Sequence, residues 1–438
     1  MKGNKLIWKI HSWVGLYAGV AIAFLSVTGA AALFRIELDQ LFNASLRKVE
    51  ITGEKIPLTP IVEKVLAAHP DKYLFEVELP KEQNGSWNLR LFPIEKRKLF
   101  PVIWEVFVNP YNGEILGERN YYRTFNYYLR NIHVRFYEGF FGRQIVGLAG
   151  LALLISTITG FLIYGKFMKK QFFGNIRKKN LRVSQADYHK LIGITTLSFN
   201  LMIAITGAWL GLQTYLQKWL AIERPNTFVR TEKPIEKVID RDFVFNYDSV
   251  YQAARQNFPE LIPLYLRPSE NGSRTVMVIG DVPRQAYERN SNKIVFDKEN
   301  YSMLYKYNIS DDDFGGKLFY VQESFHFGDF GGIWLKLFYC FLALTSGFLA
   351  LSGFIIYLKR AEKKRKEKPS FVELKPLLIR WSGIIIGFCI FTGMLSLIWG
   401  IGIPTLIVMI TFYGFLLFLV IKTSYKVIKG NLQKPINV

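Results

Sequence analysis

Four of the chain's five histidines stand at matched positions. His11 opens H-S-W-V-G and His189 opens H-K-L-I-G; each lies four residues before a glycine and seventeen before a Thr-Gly-Ala. His133 and His326 each precede a further glycine, Gly160 and Gly353, by 27 residues, within T159-G-F-L-I-Y-G-K166 and S352-G-F-I-I-Y-L-K359. A pair of imidazoles without carboxylate or thiolate suits few cofactors. Structural zinc takes four protein ligands and catalytic zinc three plus water. Copper(I) recruits Met or Cys, and the seven methionines form no cluster beside these positions. Haem iron needs only two axial ligands, because its ring supplies the other four. With both filled by protein it becomes an electron carrier. A single such histidine would read as a headgroup anchor. Four are harder to dismiss, since ionisable groups near a membrane span are costly and mark functional sites.

The elements that must position these residues are long apolar blocks. Half of the 438 residues are hydrophobic and 16% are aromatic. About 20 apolar residues cross a bilayer core, and six blocks qualify: 13–34, 143–165, 190–212, 333–357, 379–400 and 403–422. The last two form a hairpin over 379–422, turning at G400-I-G-I-P404. The net charge of +21 follows membrane orientation and not nucleic acid. Its Lys and Arg crowd the N-terminus, the 166–189 loop, the 358–378 loop and the 423–438 tail, all on one side of six spans, which the positive-inside rule makes cytoplasmic. Segments 35–142 and 213–332 then face the other side. Helices one and three run the same way, as do two and four, so His11 pairs with His189 at the cytoplasmic face and His133 with His326 at the other. The first block, residues 1–34 with its basic start, reads as a retained helix and not a cleaved signal.

The chain reads as a duplicated unit, helix–external domain–helix twice over, followed by the hairpin. His11 to His133 is 122 residues and His189 to His326 is 137, so the second external segment carries the 15 extra residues. Each external segment reads as a small α+β domain. In the first, T59–P70 has helical spacing, F75-E-V-E-L and W87-N-L-R-L-F alternate as strands, and W104–L116 is a strand–turn–strand about N-P-Y-N-G. The second repeats the order through D248–F258, L264–R267, T275–I279 and I294–L304, but its turn lacks Pro and Gly. The fifth histidine, His69, reads as a surface residue. Cys340 and Cys389 lie in predicted spans, which removes iron–sulfur clusters and c-type haem. Gly15, Gly19, Gly193 and the Thr-Gly pairs read as small residues that let a large apolar ring sit between helices. The expected cofactor is haem b, two per chain, with one haem or none as alternatives.

The H-x-W-x-G…T-G pattern, the V-F-V-N-P-Y-N-G-E-I-L turn and the T-G-F-L-I-Y-x-K ending together resemble the PepSY-associated transmembrane family, over about residues 5–360. That family includes iron-regulated inner-membrane proteins and ferric-siderophore reductases. The resemblance implies a bacterial inner membrane, multi-pass, with both termini cytoplasmic and PepSY-like domains in the periplasm. It also implies His11, His133, His189 and His326 as axial haem ligands, and reduction of Fe(III), delivered as a siderophore complex, to Fe(II). No dinucleotide fingerprint is present, so electrons come from a separate cytoplasmic reductase or from membrane quinol. Arg130, Arg135 and Arg143 flank His133; contact with haem propionates or an anionic iron complex, and anchoring at headgroups, both fit them. Lys190 fits a propionate contact or no role. Tyr121, Tyr122, Phe125, Tyr127 and Tyr128 fit a landing surface or an interfacial belt. Two other readings remain: a haem conduit to another periplasmic acceptor, and a non-enzymatic membrane sensor or binding protein.

Overall fold

The computed structural model describes residues 2–364, apart from 95–101, 137–138, 169–174, 178, 226, 229–244, 269–274 and 284–289. The expected hairpin over 379–422, the tail 423–438 and Cys389 lie outside the described residues. The first half runs through Lys2–Tyr17 (α1), Gly19–Ala32 (α2), Arg35–Phe42 (α3), Ala44–Arg47 (α4) and Leu58–Ala68 (α5). Strands Lys72–Glu78 (β1), Trp87–Pro93 (β2), Trp104–Val108 (β3) and Ile115–Asn120 (β4) follow, then Phe125–Arg135 (α6) and Gly139–Met168 (α7). The second half runs through Leu181–Thr195 (α8), Leu197–Leu220 (α9) and Tyr247–Asn257 (α10), then Ile262–Pro268 (β5), Thr275–Asp281 (β6), Asn292–Asp297 (β7) and Met303–Tyr307 (β8). It closes on Phe314–Phe327 (α11) and Gly332–Lys364 (α12).

The blocks expected as single helices over 13–34 and 190–212 are both broken. Each break comes seven residues after its histidine: Ala18 stays at the edge of the helical well (φ −90°, ψ −12°), whereas Thr196 leaves it (φ −104°, ψ 13°). At Thr196 the hydroxyl donates back to the Ile192 carbonyl at 2.7 Å, which loosens a helix; at Ala18 the next residue is glycine. The α1–α2 bend is 59°. Three helical stretches, Phe140–Tyr164, Leu197–Leu220 and Asp329–Arg360, are long and apolar enough to cross a membrane, and the bent α1–α2 pair would make a fourth. His189 therefore sits on α8, ahead of the apolar helix that was expected to start beside it.

Helices pack across the halves, α7 against α9 and α12 against α2. Glycines set the α7–α9 crossing: a Cβ on Gly147 would lie 2.7 Å from Leu212 Cγ, and one on Gly150 2.7 Å from the Ala208 backbone nitrogen. Close backbone approach of this kind holds helices together where no hydrophobic drive exists. Gly150→Leu should therefore part α7 from α9 at a cost of about 1–3 kcal/mol or more. The check is the thermal midpoint in detergent, and an unchanged midpoint would place the crossing elsewhere.

The two expected external domains share one sheet. Its order is β4-β3-β2-β1-β5-β6-β7-β8, joined at the centre by antiparallel β1 and β5, with Val77 opposite Leu266 and Glu78 opposite Tyr265. One face is a continuous apolar core, in which α5 and α10 lay Ile61, Val62, Val65, Val250 and Ala254 on Leu89, Val106, Leu266, Val276 and Ile294. The helices are also tied end to end: the Asp248 carboxylate of α10 accepts from the Leu58 and Thr59 amides at 2.7 and 2.9 Å. The turn that lacks Pro and Gly keeps its geometry. Gly113 (φ 70°) and Tyr301 (φ 56°) occupy the same left-handed position. Around them Asn109 and Asp297 each accept a side-chain hydrogen bond from the amide two residues on, at 2.9 and 2.8 Å. His69 is not a surface residue: it is buried, with Nδ1 donating to the Val65 carbonyl at 2.8 Å and Nε2 3.1 Å from Glu118.

The opposite face of the first half is a buried ion network. Arg119 grips Asp39 at 2.8 and 2.9 Å and Glu105 at 2.8 Å; Arg90 reaches Glu76 at 2.7 Å and Glu78 at 3.0 Å. Arg47 closes on Asp39 and Arg267 on Glu76. Burial alone would raise the Asp39 carboxyl, but Arg119 and Arg47 outweigh it and hold it below its ordinary value. Glu78 is likewise held down, burial being outweighed by Arg90 and Arg47. Stability from such groups is fully present above the unfolded carboxyl range of about 3.9–4.3. It is lost as pH falls through the depressed folded values. The sheet's melting temperature should be flat at neutral pH and fall progressively below about pH 4; a midpoint that rises on acidification would contradict this.

Candidate functional site

The structure brings the four histidines together in two pairs. His11 of α1 and His189 of α8 have ring centres 6.2 Å apart with planes at 80°. His133 of α6 and His326 of α11 have ring centres 6.3 Å apart with planes at 33°. Each ring is held by a hydroxyl–glycine pair on the partner helix of its own half. His11 Nδ1 meets Thr159 Oγ1 at 3.1 Å, His133 Nδ1 meets Thr28 Oγ1 at 3.2 Å, His189 Nδ1 meets Ser352 Oγ at 2.8 Å, and His326 Nδ1 meets Thr206 Oγ1 at 2.9 Å.

The hydroxyls decide the tautomer. Each has one hydrogen, and each donates it to a carbonyl of its own helix: Thr28 to Phe24, Thr159 to Ile155, Thr206 to Met202 and Ser352 to Leu349. The hydroxyl oxygen can then only accept, so the proton lies on the imidazole Nδ1. His11 adds a second acceptor, the Ser156 carbonyl at 3.1 Å. In all four rings Nε2 is left with its lone pair, the form in which imidazole binds a metal.

The glycine beside each hydroxyl makes room for the ring. A Cβ would lie 2.8 Å from His133 Cε1 at Gly29, 3.1 Å from His11 Cε1 at Gly160, 3.3 Å from His326 Cε1 at Gly207 and 3.5 Å from His189 Cε1 at Gly353. These pairs do more than narrow the helices: they seat the histidines. Beside the His11–His189 pair, one turn on from each histidine, a Cβ on Gly15 would meet nothing within 4 Å, and one on Gly193 would meet only Leu349 at 3.9 Å.

An imidazole nitrogen binds a metal at about 2.0 Å and lies about 1.1 Å from its ring centre, so two imidazoles on opposite sides of one ion put their ring centres about 6.2 Å apart. Both pairs meet that spacing. No group of three or more His, Cys, Asp or Glu able to hold a bare ion occurs among the described residues. The donor sets fit a group that brings its own equatorial ligands.

The other expected site residues divide. Arg143 is occupied by α9: its Nε and Nη2 donate to the Leu210 carbonyl at 2.9 and 2.7 Å, and Nη2 to Gln213 at 3.0 Å. Arg130 and Arg135 are half-buried beside His133, and Arg135 Nε is buried without a hydrogen-bond partner. Lys190 lies 3.6 Å from Asp187. Tyr127 and Tyr128 are buried, and Tyr121, Tyr122 and Tyr127 pack on one another with centroids 4.8–5.8 Å apart, so only Phe125 of the expected aromatic surface is exposed.

The residues between the first histidine and the last hydroxyl–glycine pair lie inside the match to the family model described as PepSY-associated TM region, which spans residues 8–360. The chain belongs to this family. It is a membrane protein, helical with a β-sheet unit. This PepSY-associated protein is also 36% identical over 84 residues to the uncharacterized protein PA4219 of Pseudomonas aeruginosa, a match that covers 19% of this chain and 21% of that protein.

Proposed function

We propose that this PepSY-associated protein is a di-haem b electron-transfer protein of a bacterial inner membrane, one haem held by His11 and His189 and the other by His133 and His326. It reduces Fe(III) on the periplasmic side, as a siderophore complex, with electrons from a cytoplasmic reductase or the quinol pool. The observation that carries the reading is the pair of imidazole couples, with ring centres 6.2 and 6.3 Å apart and each Nδ1 set against a hydroxyl that donates to its own helix. In this reading the chain is a duplicated unit of six spans with both termini cytoplasmic, so one pair lies toward each face.

Haem held by these histidines would supply one-electron carriage. The chain's part is to fix the rings. Nδ1–H is anchored on a hydroxyl already committed to its own helix, which holds tautomer and orientation together. One electron passes to each Fe(III), giving Fe(II) with no bond made to the protein. Hard oxygen donors hold Fe(II) far less well, so reduction releases the metal.

The test mixes reduced, haem-loaded protein with ferric citrate and follows haem reoxidation beside Fe(II) capture by ferrozine. One Fe(II) should appear per haem oxidised. Haem that stays reduced with ferric chelates but is reoxidised by another acceptor would overturn the iron assignment. Thr206→Val removes the acceptor for His326 Nδ1–H and should weaken haem retention at that pair about 10–100-fold, measured as transfer to apomyoglobin. Unchanged transfer would mean the hydroxyl does not seat the ligand.

A further inference from the structure

We propose that Arg130 and Arg135 on α6, Arg224 beyond α9 and Lys293 on β7 form a binding site for an anionic ferric chelate above the outer histidine pair. The site rests on the reading above for its ligand being an iron complex, and it adds the charge class that the complex must have. Arg130 and Arg135 bracket His133, three residues before it and two after. The guanidiniums of Arg135, Arg130 and Arg224 all lie near enough to Arg143 to act on it as cations, and the Glu323 carboxylate acts on it in the opposite sense. Arg143 is already bonded to α9, so it contributes field and not contact. Arg135 Nε has no partner although it is buried.

The sheet supplies the opposite wall. Ile294 and Phe296 point into the apolar core, so Lys293, one residue before Ile294, points to the other face, its ammonium 5.6 Å from the Tyr305 ring. Burial, with Arg224 and Arg267 nearby, pushes that ammonium down to about 8. Arg267 is already matched by Glu76. The first half offers the contrast: on the same face, Asp39, Glu76, Glu78 and Glu105 balance Arg47, Arg90, Arg119 and Arg267. Cations gathered beside a half-buried face destabilise one another, and a multiply charged oxygen ligand relieves this through charge-assisted hydrogen bonds. Arg224 is exposed and opens the site to solvent. Citrate-type and catecholate-type iron complexes are anionic; many hydroxamate complexes are not. Carboxylates also arrive as haem propionates, and the test must separate the two sources.

The experiment uses the full, haem-loaded chain and redox-inert gallium: the Ga(III)–EDTA monoanion against the cationic Ga(III)–desferrioxamine B complex, by equilibrium dialysis at low and physiological salt. The anionic chelate should bind at least about tenfold more tightly, less so as salt screens it. Arg224→Ala and Lys293→Ala should each weaken it about fivefold with haem content unchanged. Equal binding of the two chelates overturns the proposal. So does loss of haem without loss of chelate affinity, which assigns the cations to propionates. Gallium accepts no electron, so a protein that binds the anion yet fails to reduce ferric citrate sinks the reductase reading while supporting this site.

Discussion

On the proposed di-haem reading, alanine at His133 should leave the protein with about one haem per chain in place of two, and alanine at both His133 and His11 should leave none. The expectation follows from how the rings are held. His133 meets His326 across the halves, but its own anchor is Thr28 within its half. Removing the imidazole takes one axial nitrogen from the outer pair and leaves His326 seated on Thr206. The inner pair, anchored on Thr159 and Ser352, shares none of these contacts. Losses at the two pairs should therefore add, as they do for independent sites. Pyridine haemochrome against protein concentration is the check. Two haems retained in His133→Ala would put the outer ligand elsewhere.

The largest effect on the extramembrane unit should come from Glu105→Ala. Glu105 is fully buried and takes hydrogen bonds from Asn88 at 3.0 Å, Arg90 at 3.3 Å and Arg119 at 2.8 Å. Its loss takes one carboxylate from both guanidiniums, which keep Asp39 and the Glu76–Glu78 pair but leave their Nε groups without an acceptor, and breaking a buried pair from one side costs about 3–5 kcal/mol. For a unit of this size that amounts to a fall of roughly 10 °C in the sheet's melting midpoint. Glu105→Gln, which keeps the shape and one acceptor, should lose less. A midpoint within a degree or two of the parent would mean the network is solvated and worth little.

The histidine spacing was legible because a duplicated pattern of four identical residues leaves a trace that no single position does. The pairing followed from topology alone. Their seats were less legible. A Thr-Gly in an apolar run reads as small residues at a crossing, and the hydroxyl's commitment to its own carbonyl, which sets the tautomer, appears only in three dimensions. The breaks at Ala18 and Thr196 were hidden because apolar residues continue through both. The shared sheet was hidden because β1 and β5 lie on either side of the membrane helices in sequence, so their pairing leaves no local signal. The alternation in F75-E-V-E-L correctly gave a strand, but nothing in it marks Glu76 as buried against Arg90 and Arg267. Tyr301 shows the converse: the turn outlived its glycine, held by the Asp297 and Asn300 side chains.

The central claim, that two pairs of neutral imidazoles each hold one haem, is tested most directly by electron paramagnetic resonance of the oxidised protein beside its haem count. Two low-spin signals of equal weight should appear, both from bis-imidazole iron. They should differ, because the inner rings stand at 80° and the outer at 33°. Near-perpendicular imidazoles leave two iron d orbitals close in energy, so the inner signal should be the more anisotropic and should vanish in His11→Ala. A colourless protein from haem-replete cells, or a single high-spin signal, would contradict the account.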